Sequence, residues 1–150
     1  MTWVSVLRTL LPNWHNRRLE WGLTFYLLFL SLVLLAPAAS MQSPTYRGAL
    51  EKTNELGWAL IFGSEGVLLY VTLQVNGRAA WTPFLRGLTL LLVSQTFFSF
   101  AISLAKVQSL GLTFASYLFI SLGFCGIAFS TAAFDCGREI KVWRSRHGKR

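Results

Sequence analysis

The chain has 150 residues, 53% of them hydrophobic and only 13% charged, yet it carries a net charge of +8. Soluble domains hold about 25% charged residues, so this composition excludes an ordinary water-soluble globule and points to lipid as the solvent. Placement excludes a nucleic-acid binder: the basic residues fall in short segments between long apolar runs, where they meet lipid head groups and orient the chain.

Residues 1–20 set Trp3, Leu7, Leu10, Leu11 and Trp14 at helical spacing beside Arg8, Arg17 and Arg18. This predicts a short amphipathic segment in the interface, interrupted at Pro12. From Trp21 to Ala39 the chain is uncharged and rich in Leu and Phe. At about 1.5 Å per residue such a run matches a hydrocarbon core of about 30 Å, so a first span is predicted over 21–39. A secretion signal competes, with Arg17 and Arg18 as its positive region, Leu23 to Leu35 as its apolar core and Ala36-Pro37-Ala38 as its cleavage site. Glu20 and Trp21 interrupt the start of that core and Pro37 fits the site poorly, so the span is preferred.

Ser40 to Glu55 is polar, with Ser43-Pro44 as a turn signal and balanced charges at Arg47, Glu51, Lys52 and Glu55. The second span, 56–75, carries one acid, Glu65, near its middle and is closed by the turn dipeptide Asn76-Gly77. Arg78 and Arg86 follow without an acid, before a third span over 87–104 that is uncharged but contains Ser94, Gln95, Thr96 and Ser99. The fourth span, 112–134, places Ser121 four residues before Cys125 and Gly126 four before Ser130, a spacing that lets helices approach closely. Residues 135–150 read as a solvated, lipid-facing basic tail, with Arg138, Lys141, Arg144 and Arg146 among its cations and Asp135 and Glu139 its only acids.

The fourteen Lys and Arg split eleven to three between the two sides of this layout, which puts both termini in the cytoplasm. The predicted fold class is therefore all-α integral membrane: one four-transmembrane-helix bundle over residues 1–150, with a short amphipathic N-terminal segment and a basic tail. Arg17, Arg18, Arg78, Arg86, Arg138, Lys141, Arg144 and Arg146 are its topology-setting, lipid-facing cations. Recognition of an acidic partner by Arg78 and Arg86 is the weaker reading, since insertion alone requires them.

Glu65 is the candidate chemical group, because an isolated carboxylate in hydrocarbon is costly unless it turns inward, pairs or stays protonated. Glu65 lies about 14 Å into its span from one side and Gln95 about 12 Å into the next from the other, which brings them within about 5 Å of one level. A Glu65–Gln95 hydrogen bond is predicted, with Ser94, Thr96, Ser121 and Tyr26 as further partners. Glu65 either binds a proton or cation or fixes helix register, and the second reading is favoured because no span supplies a basic or second acidic partner. Cys125 and Cys136 read as free thiols without metal-ligand spacing, and His15 and His147 lie in opposite tails. No motif calls for a metal, a cofactor or an enzyme.

The opening LLPNWHNRRLEWGL, the Glu55-Leu56-Gly57-Trp58 start of the second span, Asn76-Gly77, Thr82-Pro83-Phe84-Leu85-Arg86 and the aspartate-then-basic ending resemble small multi-span membrane proteins encoded in tailed-phage and prophage genomes. That resemblance implies a bacterial inner-membrane location and non-enzymatic action, and it supplies no catalytic residue. The leading function is then an accessory membrane protein that packs its helices against itself or another membrane protein. A holin-like permeabiliser and a small transporter or channel using Glu65 are the alternatives.

Overall fold

The computed structural model of the chain describes residues 16–36, 41–75, 81–107 and 111–147, with residues 146 and 147 described by backbone alone. Among these residues the long elements are all helical: α1 (Arg18–Leu35), a single turn α2 (Arg47–Leu50), α3 (Glu55–Val75), α4 (Thr82–Ala105), α5 (Leu112–Phe119) and α6 (Cys125–His147). A π-helical turn, Ile120–Phe124, joins α5 and α6 into one rod. Counting that rod once, four helices among the described residues are long and apolar enough to cross a membrane. Hydrocarbon offers the backbone no water, so an apolar run of this length satisfies its N–H and C=O groups by bonding within itself, as a helix.

The helix ends follow local chemistry. Asn54 Oδ1 accepts from the Gly57 N–H at 2.7 Å and caps α3. α1 stops at Leu35 because Ala36 is extended, with ψ of 142°, as suits the residue before Pro37; the last three residues of the predicted span to 39 lie outside the described residues. Pro83 occupies the first turn of α4, where its missing N–H is harmless and its fixed φ suits a helix, so α4 begins five residues before the expected 87 and takes Arg86 inside. The rod continues through Asp135 to His147, about 20 Å beyond the expected end of the span. Charged residues take a helix out of lipid without ending it, so the first part of the predicted tail is helical. Residues 1–15 of the predicted amphipathic segment, Asn76-Gly77, Arg78 and the Arg146 side chain lie outside the described residues.

α4 is the central element: Leu90, Val93, Phe97 and Ala101 are fully buried along it. It packs against α3 on one side and the α5–α6 rod on the other, while α1 lies mainly on α3. The α1–α3 seam is close because glycines form it. A Cβ on Gly66 would come within 2.9 Å of the Leu28 side chain, and one on Gly63 within 2.7 Å of Ser31 Oγ. That serine donates across the seam to Ala59 O at 2.8 Å. α3, α4 and α5 meet through aromatic rings, with Trp58 and Tyr117 each edge-on to Phe100 at centroid separations of 4.8 Å. Trp58 Nε1 also donates to Ala49 O at 3.0 Å, holding α2 against the start of α3. Between α1 and α6 the packing is looser, and a cleft runs along that seam.

Gly66→Leu is expected to destabilise the fold by about 1–3 kcal/mol through overpacking against Leu27 and Leu28. Gly137→Ala, inside α6 where an added Cβ meets nothing within 4 Å, should not destabilise and gains up to about 1 kcal/mol of helix propensity. Thermal unfolding of the detergent-solubilised chain, followed by circular dichroism, distinguishes the two.

Candidate functional site

Two polar centres are built into the packed helices. The first gathers charge from three elements at the end where α1 and α4 begin. Arg86, in the second turn of α4, has a side chain 0% exposed to solvent and Glu20, in the first turn of α1, one 3% exposed. Arg86 Nε lies 3.2 Å from Glu20 Oε2, and Arg86 Nη2 donates to Asp135 Oδ2 on α6 at 2.8 Å. Arg17, just before α1, donates through Nη2 to the same Asp135 oxygen at 2.9 Å and holds Nη1 3.6 Å from Glu20 Oε1. Each arginine therefore touches both acids, and the four residues form a closed ring with no net charge. Thr131 Oγ1 adds a hydroxyl 3.2 Å from Glu20 Oε1 and 2.6 Å from Ala128 O, its single proton serving one of them at a time.

Arginine suits this position because one planar guanidinium presents donors in several directions, so Arg86 straddles carboxylates from two different helices. A buried ion loses hydration worth several kcal/mol, which only close partners of opposite charge offset. The ring supplies those partners, and it ties α1, α4 and α6 together at one end.

This overturns the lipid-facing assignment of Arg17 and Arg86. Arg86 is enclosed and Arg17 is only 14% exposed, whereas Arg18, Arg138, Lys141 and Arg144 are exposed. Sequence reasoning also passed over Glu20 and Asp135 as flanking residues. Their signal was an acid at the end of an apolar run on the same side as arginines that also border apolar runs.

The second centre is Glu65. Thr96 Oγ1 donates to Glu65 Oε1 at 2.5 Å, and Oε2 is buried without a hydrogen-bond partner among the described residues. Gln95 is not the partner: its Nε2 is directed to Ser99 Oγ, 3.4 Å away, on the exposed face of α4. Ser94 and Ser121 do not serve Glu65 either. Ser94 Oγ donates to Ser121 O at 3.0 Å and Ser121 Oγ to Ser94 O at 2.8 Å, a reciprocal clasp between α4 and the rod. Ser121 sits in the π turn, where wider i→i+5 bonding, as in Cys125 N to Ile120 O, re-aims the local backbone. Consecutive helical residues differ by about 100° in direction, so Ser94, Gln95 and Thr96 address the rod, the exterior and α3 in turn.

The second pair of small residues on the rod divides in the same way. Ser121 and Cys125 are buried against α4, while Gly126 and Ser130 are exposed on another face. Among the described residues no three His, Cys, Asp or Glu side chains converge as a metal site. Cys125 and Cys136 are free thiols. No protein family, curated protein or solved structure matches the chain.

Arg86→Gln is expected to lower stability by about 3–5 kcal/mol, because it leaves Glu20 buried beside an uncharged amide. Arg86→Lys keeps the charge but not the fork that spans both acids, so its loss should be intermediate; Arg144→Gln, exposed on α6, should change nothing. Unfolding midpoints of the three variants read this ordering. At the second centre, Thr96→Val should cost about 1–3 kcal/mol by removing the donor to Glu65, whereas Gln95→Leu should leave the fold as stable as before. The same unfolding assay checks that pair.

Proposed function

We propose that the chain is a non-enzymatic, multi-pass protein of the bacterial inner membrane, of the accessory kind encoded by phages and prophages. It acts by packing its helices against a second copy or another membrane protein. In this reading the four long helices form a bundle with both termini cytoplasmic, a topology supported by the eleven-to-three distribution of basic residues. The phage-type assignment draws on the sequence resemblance alone.

The observation that carries the packing role is Gln95. Its carboxamide is exposed on the outer face of α4, among the exposed side chains of Leu88, Leu91, Leu92 and Phe98. In hydrocarbon a primary amide there has no water to bond, and Ser99 Oγ at 3.4 Å satisfies one of its donors only weakly. A helix from a partner supplies the missing bonds. The open face of α6 offers a second contact, since Gly126 and Ser130 are exposed four residues apart and an added Cβ on Gly126 would meet nothing within 4 Å.

Self-association is measured by single-molecule energy transfer between labelled copies in lipid vesicles. Gln95→Leu is expected to weaken it by about threefold or more, the equivalent of an interhelical hydrogen bond averaging about 0.6 kcal/mol in a membrane. Gly126→Leu should weaken it further by holding the helices apart. A Gln95→Leu variant that associates as tightly as the parent would contradict the proposal.

A second reading, a small proton or cation pathway through Glu65, draws on the unpartnered Oε2 of that residue. It requires that Glu65→Gln abolish pH-dependent flux into vesicles while the helices stay folded. The accessory reading expects no flux from either form, and an unaltered membrane potential when the intact chain is induced in a bacterial host. Collapse of the potential would favour the permeabiliser instead.

A further inference from the structure

We infer that the outer ridge of α4 is a seam for a second copy of this chain, with two α4 helices parallel and in register and Gln95 of each meeting Gln95 of the other. The inference rests on the association proposed above and supplies its partner and geometry. Phe84, Leu88, Leu91, Gln95, Phe98 and Ile102 are all exposed, and their spacing alternates between four residues and three. A repeat of 3.5 residues keeps one stripe turned toward a partner helix when the two cross at about 20° in a left-handed sense. The stripe rises about 27 Å from Phe84 to Ile102, close to a full hydrocarbon core of about 30 Å.

The ridge faces away from the rest of the bundle. At about 100° per residue, Leu90, Val93, Phe97 and Leu104, all buried, lie on the opposite side of α4. Ser94 and Thr96, on either side of Gln95 in sequence, turn to the rod and to α3, so Gln95 points between them and outward. Leu92 is also exposed but stands on the flank of the stripe. Lys52 reaches that same flank, donating through Nζ to Ser99 O at 3.0 Å.

Lipid covers leucine and phenylalanine as well as a helix does, so the apolar members of the stripe do not choose an occupant. Gln95 does. Its contact with Ser99 Oγ is 3.4 Å long and takes one N–H, which leaves the other N–H and the carbonyl oxygen for a neighbour. A carboxamide complements itself: across a twofold axis each Gln95 donates an N–H to the carbonyl oxygen of the other. That exchange needs both amides at one depth. Identical chains whose basic residues divide eleven to three insert the same way round, which makes neighbouring α4 helices parallel and sets every Gln95 at the same level. Gln95 lies near the middle of α4, and sliding one helix by a turn would leave both amides in hydrocarbon, so a single polar group in the repeat fixes register.

Cysteine cross-linking in bacterial membrane vesicles tests the seam. In a chain carrying Cys125→Ala and Cys136→Ser, single cysteines are placed on the stripe by Leu88→Cys, Leu91→Cys, Phe98→Cys and Ile102→Cys. Leu92→Cys and Gly126→Cys place them off it. Oxidation by copper phenanthroline joins copies whose equivalent cysteines come within about 7 Å between Cα atoms. The four stripe positions are expected to give at least about threefold more linked dimer than Leu92→Cys. Adding Gln95→Leu should lower each yield about threefold. Helix content by circular dichroism should stay constant, since the substituted stripe positions are exposed. Energy transfer between copies carrying fluorescent C-terminal tags is read on the same chains. Energy transfer that persists while the stripe stays unlinked, or while only Gly126→Cys links, would overturn the seam and leave association standing. Links at Leu91→Cys but at neither Leu88→Cys nor Ile102→Cys would overturn it too, as helices that cross at one point. Loss of both signals would contradict association and seam together.

Discussion

A guanidinium with no exposed surface has to be met by negative charge, and the position of Arg86 in the second turn of α4 sets where that charge must come from. Glu20 reaches it from the first turn of α1, and Asp135 from the rod at the point where its apolar stretch ends. Because the carboxylates belong to two different helices, satisfying one arginine fixes the relative height of three. Arg17 repeats the same bridge from outside and closes the ring. The ring is therefore a register device, in which α4 receives one carboxylate from α1 and one from α6. α3, which contributes nothing to the ring, is held differently, by the glycine seam with α1 and by Trp58 and Phe62 set edge-on to Phe100 of α4.

Beyond the ring, polar groups fall into two sets. Those turned inward answer one another: Thr96 donates to Glu65, and Ser94 and Ser121 exchange hydroxyl-to-carbonyl bonds across the π turn. Among those left outward, Gln95 on α4 has only the long contact to Ser99 Oγ, while Ser130 beside Gly126 on α6 donates to its own helix at Ile127 O. Chemistry by a lone carboxyl needs a chain of partners for proton or ion movement. Association needs only an outward polar group and a surface that permits approach. The outward set is the one that the proposed association would use.

The four long helices were legible in the sequence because hydrophobic length alone decides them. Their ends were less so. The third span was cut at Arg86 on the rule that charge marks a loop, but Thr82-Pro83 already signalled a helix start and the charge is neutralised inside. The site was half legible. Counting residues placed Glu65 and α4's polar run at one level correctly, since rise per residue is fixed. It could not give direction around the helix axis, which is why Gln95 was chosen over its neighbour Thr96. The ring was missed because its members are scattered at positions 17, 20, 86 and 135, and only the packing of three helices brings them together.

The ring's claim to organise the fold is tested most directly by a double-mutant cycle on Glu20→Gln and Arg86→Gln, read as unfolding free energy in lipid. Contacting charges should show a coupling energy of about 1 kcal/mol or more, within the roughly 0.5–3 kcal/mol measured for residues in one network. Under that outcome the double variant is more stable than the sum of the single losses would allow. Additivity to within about 0.3–0.5 kcal/mol would mean that Glu20 and Arg86 act independently, and the ring would not be what holds α1, α4 and α6 in register.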